Sequence, residues 1–172
     1  MQIAILTTGG TIEKTYNESD GTLANVGSVL DCILGTLRHH ELETRHIPVM
    51  SKDSLDIDDA DRQTILYSVK AAASQNDAII IIHGTDTLVA TGDYLQANLR
   101  DLKLPIILTG AMRPYEFRDT DAVQNVTEAL FATRLLNPGI WVVMHNRALR
   151  FPGVSKDRSL MTFVRNVELA GG

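Results

Sequence analysis

Two threonines of this chain stand where a hydroxyl could act on a bound molecule. Thr11 lies in Thr7-Thr8-Gly9-Gly10-Thr11-Ile12, and Thr85 in His83-Gly84-Thr85-Asp86-Thr87. Each segment follows an apolar run, residues 3–6 for the first and 78–82 for the second. An alcohol is a poor nucleophile until a neighbouring group takes its proton. His83 is the nominee by residue type, but its place at the end of an apolar run favours a hydrogen-bonded core histidine. A lysine can serve instead when burial lowers its pKa, with a threonine relaying the proton. The residues alone do not single out which lysine.

A third segment, Thr109-Gly110-Ala111-Met112-Arg113-Pro114, follows the apolar stretch 105–108 in the same way. One Gly-Thr turn by itself reads as a strand terminator, and Thr-Asp before a helix reads as an N-cap. The surrounding elements change that weighting. Runs such as Ile79-Ile80-Ile81-Ile82 are β-branched without alternation, as in a central strand covered on both faces. Strands are expected over 3–8, 43–49 (stopped near Pro48), 78–82, 105–108 and 140–144, with 147–150 as a short extension. Helices are expected over 25–39, from Val26, Val29, Leu30, Ile33, Leu34 and Leu37, over 59–74 after Asp58 and Asp59, from Thr87 through Arg100, and over 121–136. Residues 13–22 read as a long polar loop and 51–54 as a polar loop, whereas 151–172 shows no clear period beyond a turn at Pro152-Gly153.

Strands and helices alternate, so the fold class is α/β: three layers, α/β/α, around a mainly parallel sheet. All three Thr/Gly-rich exits then leave one edge of the sheet, where open α/β sheets bind ligands. That convergence makes a site.

Composition narrows the function. The 172 residues suit one domain with a full core, expected as 1–172. A net charge of −5 and a pI near 5.5 speak against a nucleic-acid partner; the only clustered basic residues are Arg147, Arg150, Lys156 and Arg158. No stretch approaches the roughly 18 apolar residues of a membrane span. The N-terminal run lacks the basic start and length of a signal peptide, so the cytoplasm is the expected compartment. Cys32, the single cysteine, cannot form an intrachain disulfide and is expected in the core. His39, His40, His46 and His145 show no metal-ligand spacing. Gly9-Gly10-Thr11 fits neither G-x-G-x-x-G nor G-x-x-x-x-G-K-[ST], so a nucleotide is not indicated. No metal or cofactor is expected.

Taken together, Thr8-Gly9-Gly10-Thr11-Ile12, His83-Gly84-Thr85-Asp86-Thr87 and Thr109-Gly110-Ala111-Met112-Arg113-Pro114 resemble three hallmark segments of the bacterial-type L-asparaginases, in that family's order and near its spacing. The likeness covers nearly the whole chain and matches the N-terminal domain of the two-domain enzymes. The length resembles that of the short-chain members, which have this domain alone. The resemblance implies hydrolysis of L-asparagine to L-aspartate and ammonia by a homo-oligomer, a dimer or tetramer. It makes Thr11 the nucleophile that forms an acyl-enzyme, Thr85 and Asp86 the second threonine and its aspartate, and Lys156 of Val154-Ser155-Lys156 the base that shares a proton with Thr85. Asp86 would pair with the substrate ammonium, Ser51 would hold its α-carboxylate, and the Ala111 backbone would meet its side-chain amide. Backbone N–H groups at Gly10-Thr11 and Gly84-Thr85 would serve the oxyanion.

Three departures from the family pattern stand out. The loop tyrosine that helps activate the first threonine is matched only by Tyr16, nearer to Thr11 than in many relatives. Lys52 takes the substrate-binding position of a glutamine, and a cation there is expected to point away or toward a carboxylate. The acidic residue that long enzymes borrow from a neighbour's C-terminal domain has no counterpart, leaving Asp20, Glu18 or another subunit as its source. Alternatives are hydrolysis of another side-chain amide, in glutamine or an amidotransferase substrate, and a non-catalytic amino-acid-binding domain.

Overall fold

A computed structural model describes residues 1–25 and 27–166. Its centre is a six-stranded sheet in the order β4-β1-β5-β6-β7-β8. The strands are β1 (Gln2–Gly9), β4 (Glu43–Lys52), β5 (Ala78–Ile82), β6 (Pro105–Thr109), β7 (Gly139–Met144) and β8 (Arg147–Arg150). Pairing is parallel except between β7 and β8. The run 78–82 is buried at every position, as unbroken β-branched character demands of a central strand. Alternate residues of β1 feed opposite cores. Ala4 and Leu6 pack with helices α2 (Asp59–Ala73) and α3 (Leu88–Asn98), and Ile3 and Ile5 pack with α1 (Leu30–Thr36) and α4 (Ala122–Ala132). The expected three-layer α/β/α architecture is what forms.

Several local expectations are corrected. The strand at 43–49 runs on through Pro48 to Lys52, taking in Ser51 and Lys52. Proline is tolerated because β4 is an edge strand, bonded on one side only, to β1. The loop at 13–22 is a hairpin of β2 (Lys14–Asn17) and β3 (Thr22–Asn25), and the helix expected at 25–39 is confined to α1, with Val26 outside the described residues. Cys32 lies on the exposed side of α1, not in the core. The stretch after 151 forms a second hairpin, β9 (Val154–Asp157) with β10 (Thr162–Arg165); residues 167–172 of that segment lie outside the described residues. Both hairpins have four-residue strands, too short for a period to declare itself.

Among the described residues, no helix is long and apolar enough to cross a membrane. The four clustered basic residues do not form one patch. Arg150 lies over the Trp141 ring, 5.7 Å from its centroid, Arg147 reaches Phe163 O, and Lys156 and Arg158 turn toward Asp86.

Candidate active site

Strands β1, β5 and β6 are neighbours and parallel, so their three Thr/Gly-rich exits share one edge. Buried threonines bind the ends together: Thr8 Oγ1 donates to Ile82 O (3.0 Å) and Thr109 Oγ1 to Val143 O (2.8 Å). Beyond them the first two exits touch through backbone alone. A Cβ on Gly10 would lie 2.4 Å from Gly84 Cα, and Gly10 has φ +86°, a conformation costly for other residues. A Cβ on Gly84 would lie 2.5 Å from Ser54 Cβ. Glycine at both positions is what lets the two exits that carry Thr11 and Thr85 meet backbone to backbone.

Thr85 is buried, and its Oγ1 accepts a hydrogen bond from Lys156 Nζ at 2.8 Å. The same ammonium donates to Asp86 Oδ1 at 2.8 Å, with the Lys156 side chain only 14% exposed. The carboxylate that could have capped α3 therefore serves Lys156; Thr87 stands at the N-cap of α3 and makes no side-chain cap. Arg158 stands farther out, 3.7 Å from Asp86 Oδ1. Lys156 is brought in by the β9–β10 hairpin, which Val154 and Phe163 anchor in the core.

His83 is fully buried. Its Nδ1 lies 2.8 Å from Gly84 O, an acceptor only, so Nδ1 carries the proton and Nε2 accepts from Thr91 Oγ1 at 2.9 Å. Burial lowers its pKa to about 4, partly offset by the bond to Gly84 O. Both nitrogens are occupied, so His83 is a core residue that shapes the second exit.

The third exit is held by Asp121. Its carboxylate accepts from the N–H groups of Met112 and Arg113 (3.0 Å each) and from Asn125 Nδ2 (2.8 Å). Asn125 Nδ2 also donates to Gly110 O at 2.9 Å, so buried Ala111 sits between two pinned neighbours. Burial alone would raise the Asp121 pKa, but these donors together with His145 hold it below the usual carboxylate range. His145 Nε2 lies 2.7 Å from Asp121, and its Nδ1 lies 2.9 Å from Thr162 Oγ1. This Asp-His-Thr chain has the connectivity of a catalytic triad, but it ends on Thr162 of β10, buried on the hairpin and away from the Thr85–Asp86 exit that Lys156 meets. It couples the third exit to the hairpin that carries Lys156.

The remaining residues named from sequence are placed as follows. Thr11 is half-buried at the start of a 3₁₀ turn, Thr11–Glu13, and its hydroxyl has no side-chain partner among the described residues. The Gly10 N–H is given to Lys52 O at 2.9 Å and faces the 52–54 segment. Lys52 Nζ points at Asp61, 2.8 Å from both oxygens, so only its backbone is at the site. Ser51 is exposed at the end of β4 and helps line a cavity of about 270 Å³ with Thr7, Glu13 and Ser28. Tyr16 is 54% exposed, its phenol beside Gly21 of its own hairpin, and no hydrogen bond joins it to Thr11. Sequence reasoning missed Asp121, His145 and the Lys14–Asp53 ion pair beside Thr11. Their partners lie 24 and 39 residues apart, and no local pattern signals them.

The three larger hollows, about 470, 570 and 610 Å³, open at the opposite edge, where strands begin, and none brings a threonine hydroxyl to a lysine. Chemistry rather than volume selects the strand-exit edge. Among the described residues no group of three or more His, Cys, Asp or Glu is placed to hold a metal ion.

The chain has counterparts among known proteins. The chain is 35% identical over 162 residues to an L-asparaginase of Thermococcus kodakarensis, covering 93% of this chain and 49% of that protein. The solved structure titled "The thermostable L-asparaginase from Thermococcus kodakarensis" superposes with a TM-score of 0.88 at 32% identity, over 96% of this chain and 51% of the other. A more distant relative is one component of a glutamyl-tRNA(Gln) amidotransferase of Thermoplasma acidophilum, 26% identical over 133 residues, 75% of this chain and 32% of that protein. The chain spans about half the length of the curated relatives it matches. The family model described as "Asparaginase, N-terminal" matches residues 2–163. These residues include all three strand exits and β9 with Lys156, and the chain belongs to the asparaginase family.

Proposed function

We propose that the chain hydrolyses L-asparagine to L-aspartate and ammonia, with Thr11 as nucleophile. The observation that carries the reading is Lys156 Nζ within 2.8 Å of both Thr85 Oγ1 and Asp86 Oδ1, at the exit whose glycine abuts Gly10. In this reading Thr11 Oγ forms a bond to the side-chain carbonyl carbon while its proton leaves through Thr85 toward Lys156 Nζ, the base of the pair. The carbon–nitrogen bond then breaks, ammonia departs with a returned proton, and water cleaves the acyl-enzyme by the same route. Backbone N–H groups stabilise the oxyanion, each such donor being worth about 3 kcal/mol. With the Gly10 N–H committed to Lys52 O, the Thr11 N–H is the donor on the first exit. Asp86 meets the substrate ammonium through a charge-assisted bond; Ser51 takes the α-carboxylate, and the backbone at Ala111 takes the amide.

Ammonia release tests this. Thr11→Ala should abolish turnover with the fold retained, and Lys156→Met should lower it by several orders of magnitude; wild-type rates in either variant would remove that residue from its role. A second reading, hydrolysis of another side-chain amide, is favoured only by the likeness to the amidotransferase component. A higher kcat/KM for glutamine than for asparagine would install it. A purely amino-acid-binding domain would bind aspartate without turnover, and it leaves the Lys156–Thr85 bond without a purpose. A cytoplasmic homo-oligomer completes the reading, checked by sedimentation of the purified chain and by cell fractionation.

A further inference from the structure

The two threonines are served differently. Thr85 has Lys156 and Asp86. On the Thr11 side Tyr16 lies against its own hairpin, and a second lysine–aspartate pair occupies the place beside the turn: Lys14 Nζ lies 2.5 Å from Asp53 Oδ2. Its aspartate is about as exposed as that of the first pair and its lysine somewhat more so, with side chains 25% (Lys14) and 33% (Asp53) exposed. Lys14 ends the turn that carries Thr11, and its N–H donates to Thr11 O. Asp53 is fixed by a second bond, its Oδ1 accepting from Leu55 N–H at 3.1 Å. It also sits between the two residues that touch the glycines of the site. Lys52 O accepts from Gly10 N–H, and the Ser54 side chain packs on Gly84. The Lys14 ammonium and the N–H groups of Leu55 and Ser54 hold the Asp53 carboxyl below the usual carboxylate range.

We propose that the Lys14–Asp53 ion pair is the positioning element for Thr11: it ties the turn bearing that hydroxyl to the segment that contacts Gly10 and Gly84, and so sets Thr11 opposite Thr85. The inference rests on the amidohydrolase reading. An ion pair of this exposure contributes little to global stability, whereas displacing a reacting group by about 1 Å costs on the order of 100-fold in rate. A positioning role therefore separates from a structural one by which quantity moves.

The experiment uses the full chain with asparagine turnover, thermal melting and amide hydrogen exchange. Lys14→Met should lower kcat about 100-fold, with KM within about threefold and Tm within about 4 °C of wild type. Lys14→Arg should restore most of the rate. Asp53→Asn keeps an oxygen for the Leu55 N–H and should match Lys14→Met, and the double variant should be no slower than either single one, because the pair acts as a unit. Wild-type kcat in Lys14→Met, equal losses in Lys14→Arg, or multiplied losses in the double variant would each overturn the proposal. Exchange separates this failure from that of the amidohydrolase reading. If the wild-type chain releases no ammonia, the function falls, but faster exchange over residues 10–16 in Lys14→Met with residues 83–87 unchanged still supports the clamp. Unchanged exchange over 10–16 removes it.

Discussion

Acidification from about pH 6.5 to about pH 4 should weaken the folded chain through His83 alone. Burial holds its folded pKa near 4, against an ordinary 6.5 in an exposed chain. Between those values the unfolded chain binds a proton that the folded chain refuses. The stabilisation is complete above 6.5 and is lost as the pH falls through the folded pKa. At about 1.4 kcal/mol per pH unit, the gap corresponds to about 3 kcal/mol. Asp53, Asp61 and Asp121 have pKa values lowered from 3.8, so their losses fall mainly below this window. Glu13, raised from 4.5 by burial, acts with the opposite sign inside it. The His83 share is therefore isolated with His83→Asn, whose side-chain amide can still donate to Gly84 O but cannot ionise. The variant loses the acceptor for Thr91, which shifts its stability at every pH and leaves the slope as the readout. Urea unfolding at a series of pH values, followed through Trp141, the single tryptophan, gives both slopes. Wild type should lose about 3 kcal/mol more than His83→Asn across the window. Parallel pH dependences would refute a neutral, buried His83.

Two further substitutions probe the same edge. Gly10→Ala introduces a Cβ 2.4 Å from Gly84 Cα at φ +86°; backbone cannot retract as a side chain can, so a cost of at least about 1–3 kcal/mol is expected in a melting experiment, with ammonia release lost as the exits are forced apart. Glu13 is buried, with Oε1 unpaired among the described residues, and its contribution is full below pH 4.5 and lost as the pH rises through its raised folded pKa. Glu13→Gln should thus gain stability relative to wild type from pH 4.5 toward neutrality, and a difference in Tm that is flat with pH would contradict it.

The parts of the molecule legible in the sequence are those whose physics is local. Residues 78–82 and 105–109 declare central strands because burial on both faces requires unbroken apolar character. Asp58 announces α2 because an N-cap acts within three residues, and its carboxylate does accept from Asp61 N–H at 2.9 Å. The convergence of three strand exits follows from parallel alternation. What is not legible depends on distant partners or on environment. Pro48 stops a central strand but not an edge one, and strand order is not written in the segment itself. Cys32 and Ile33 share an apolar-patterned helix, yet only Ile33 turns inward, because a seven-residue helix buries a narrow stripe. Asp121 stands at the start of an expected helix and instead gathers the backbone of the third exit.

The site is asymmetric in how its two halves are held, and this bears on which half limits the chemistry. Thr85 follows a fully buried strand and a histidine with both nitrogens bonded, and its lysine arrives on a hairpin anchored by Phe163 and Val154. Thr85 is buried and Lys156 is bonded twice, so both are preorganised before any substrate arrives. Thr11 lies in a three-residue turn leading to an outward-facing hairpin. That turn and hairpin are tied to the body by Ile12 in the core, by the bonds from Tyr115 N–H to Ile12 O and Tyr16 N–H to Glu116, and by the Lys14–Asp53 pair. Of these ties all but the Tyr16 bond act within three residues of Thr11, and of the bonds the ion pair alone joins side chain to side chain. Preorganisation is worth most where a group must meet a reacting carbon within a fraction of an ångström. Thr11, the proposed nucleophile, is the less constrained partner, so rate should respond more steeply to changes around Lys14 and Asp53 than to equally conservative changes around His83, whose surroundings have no slack to lose.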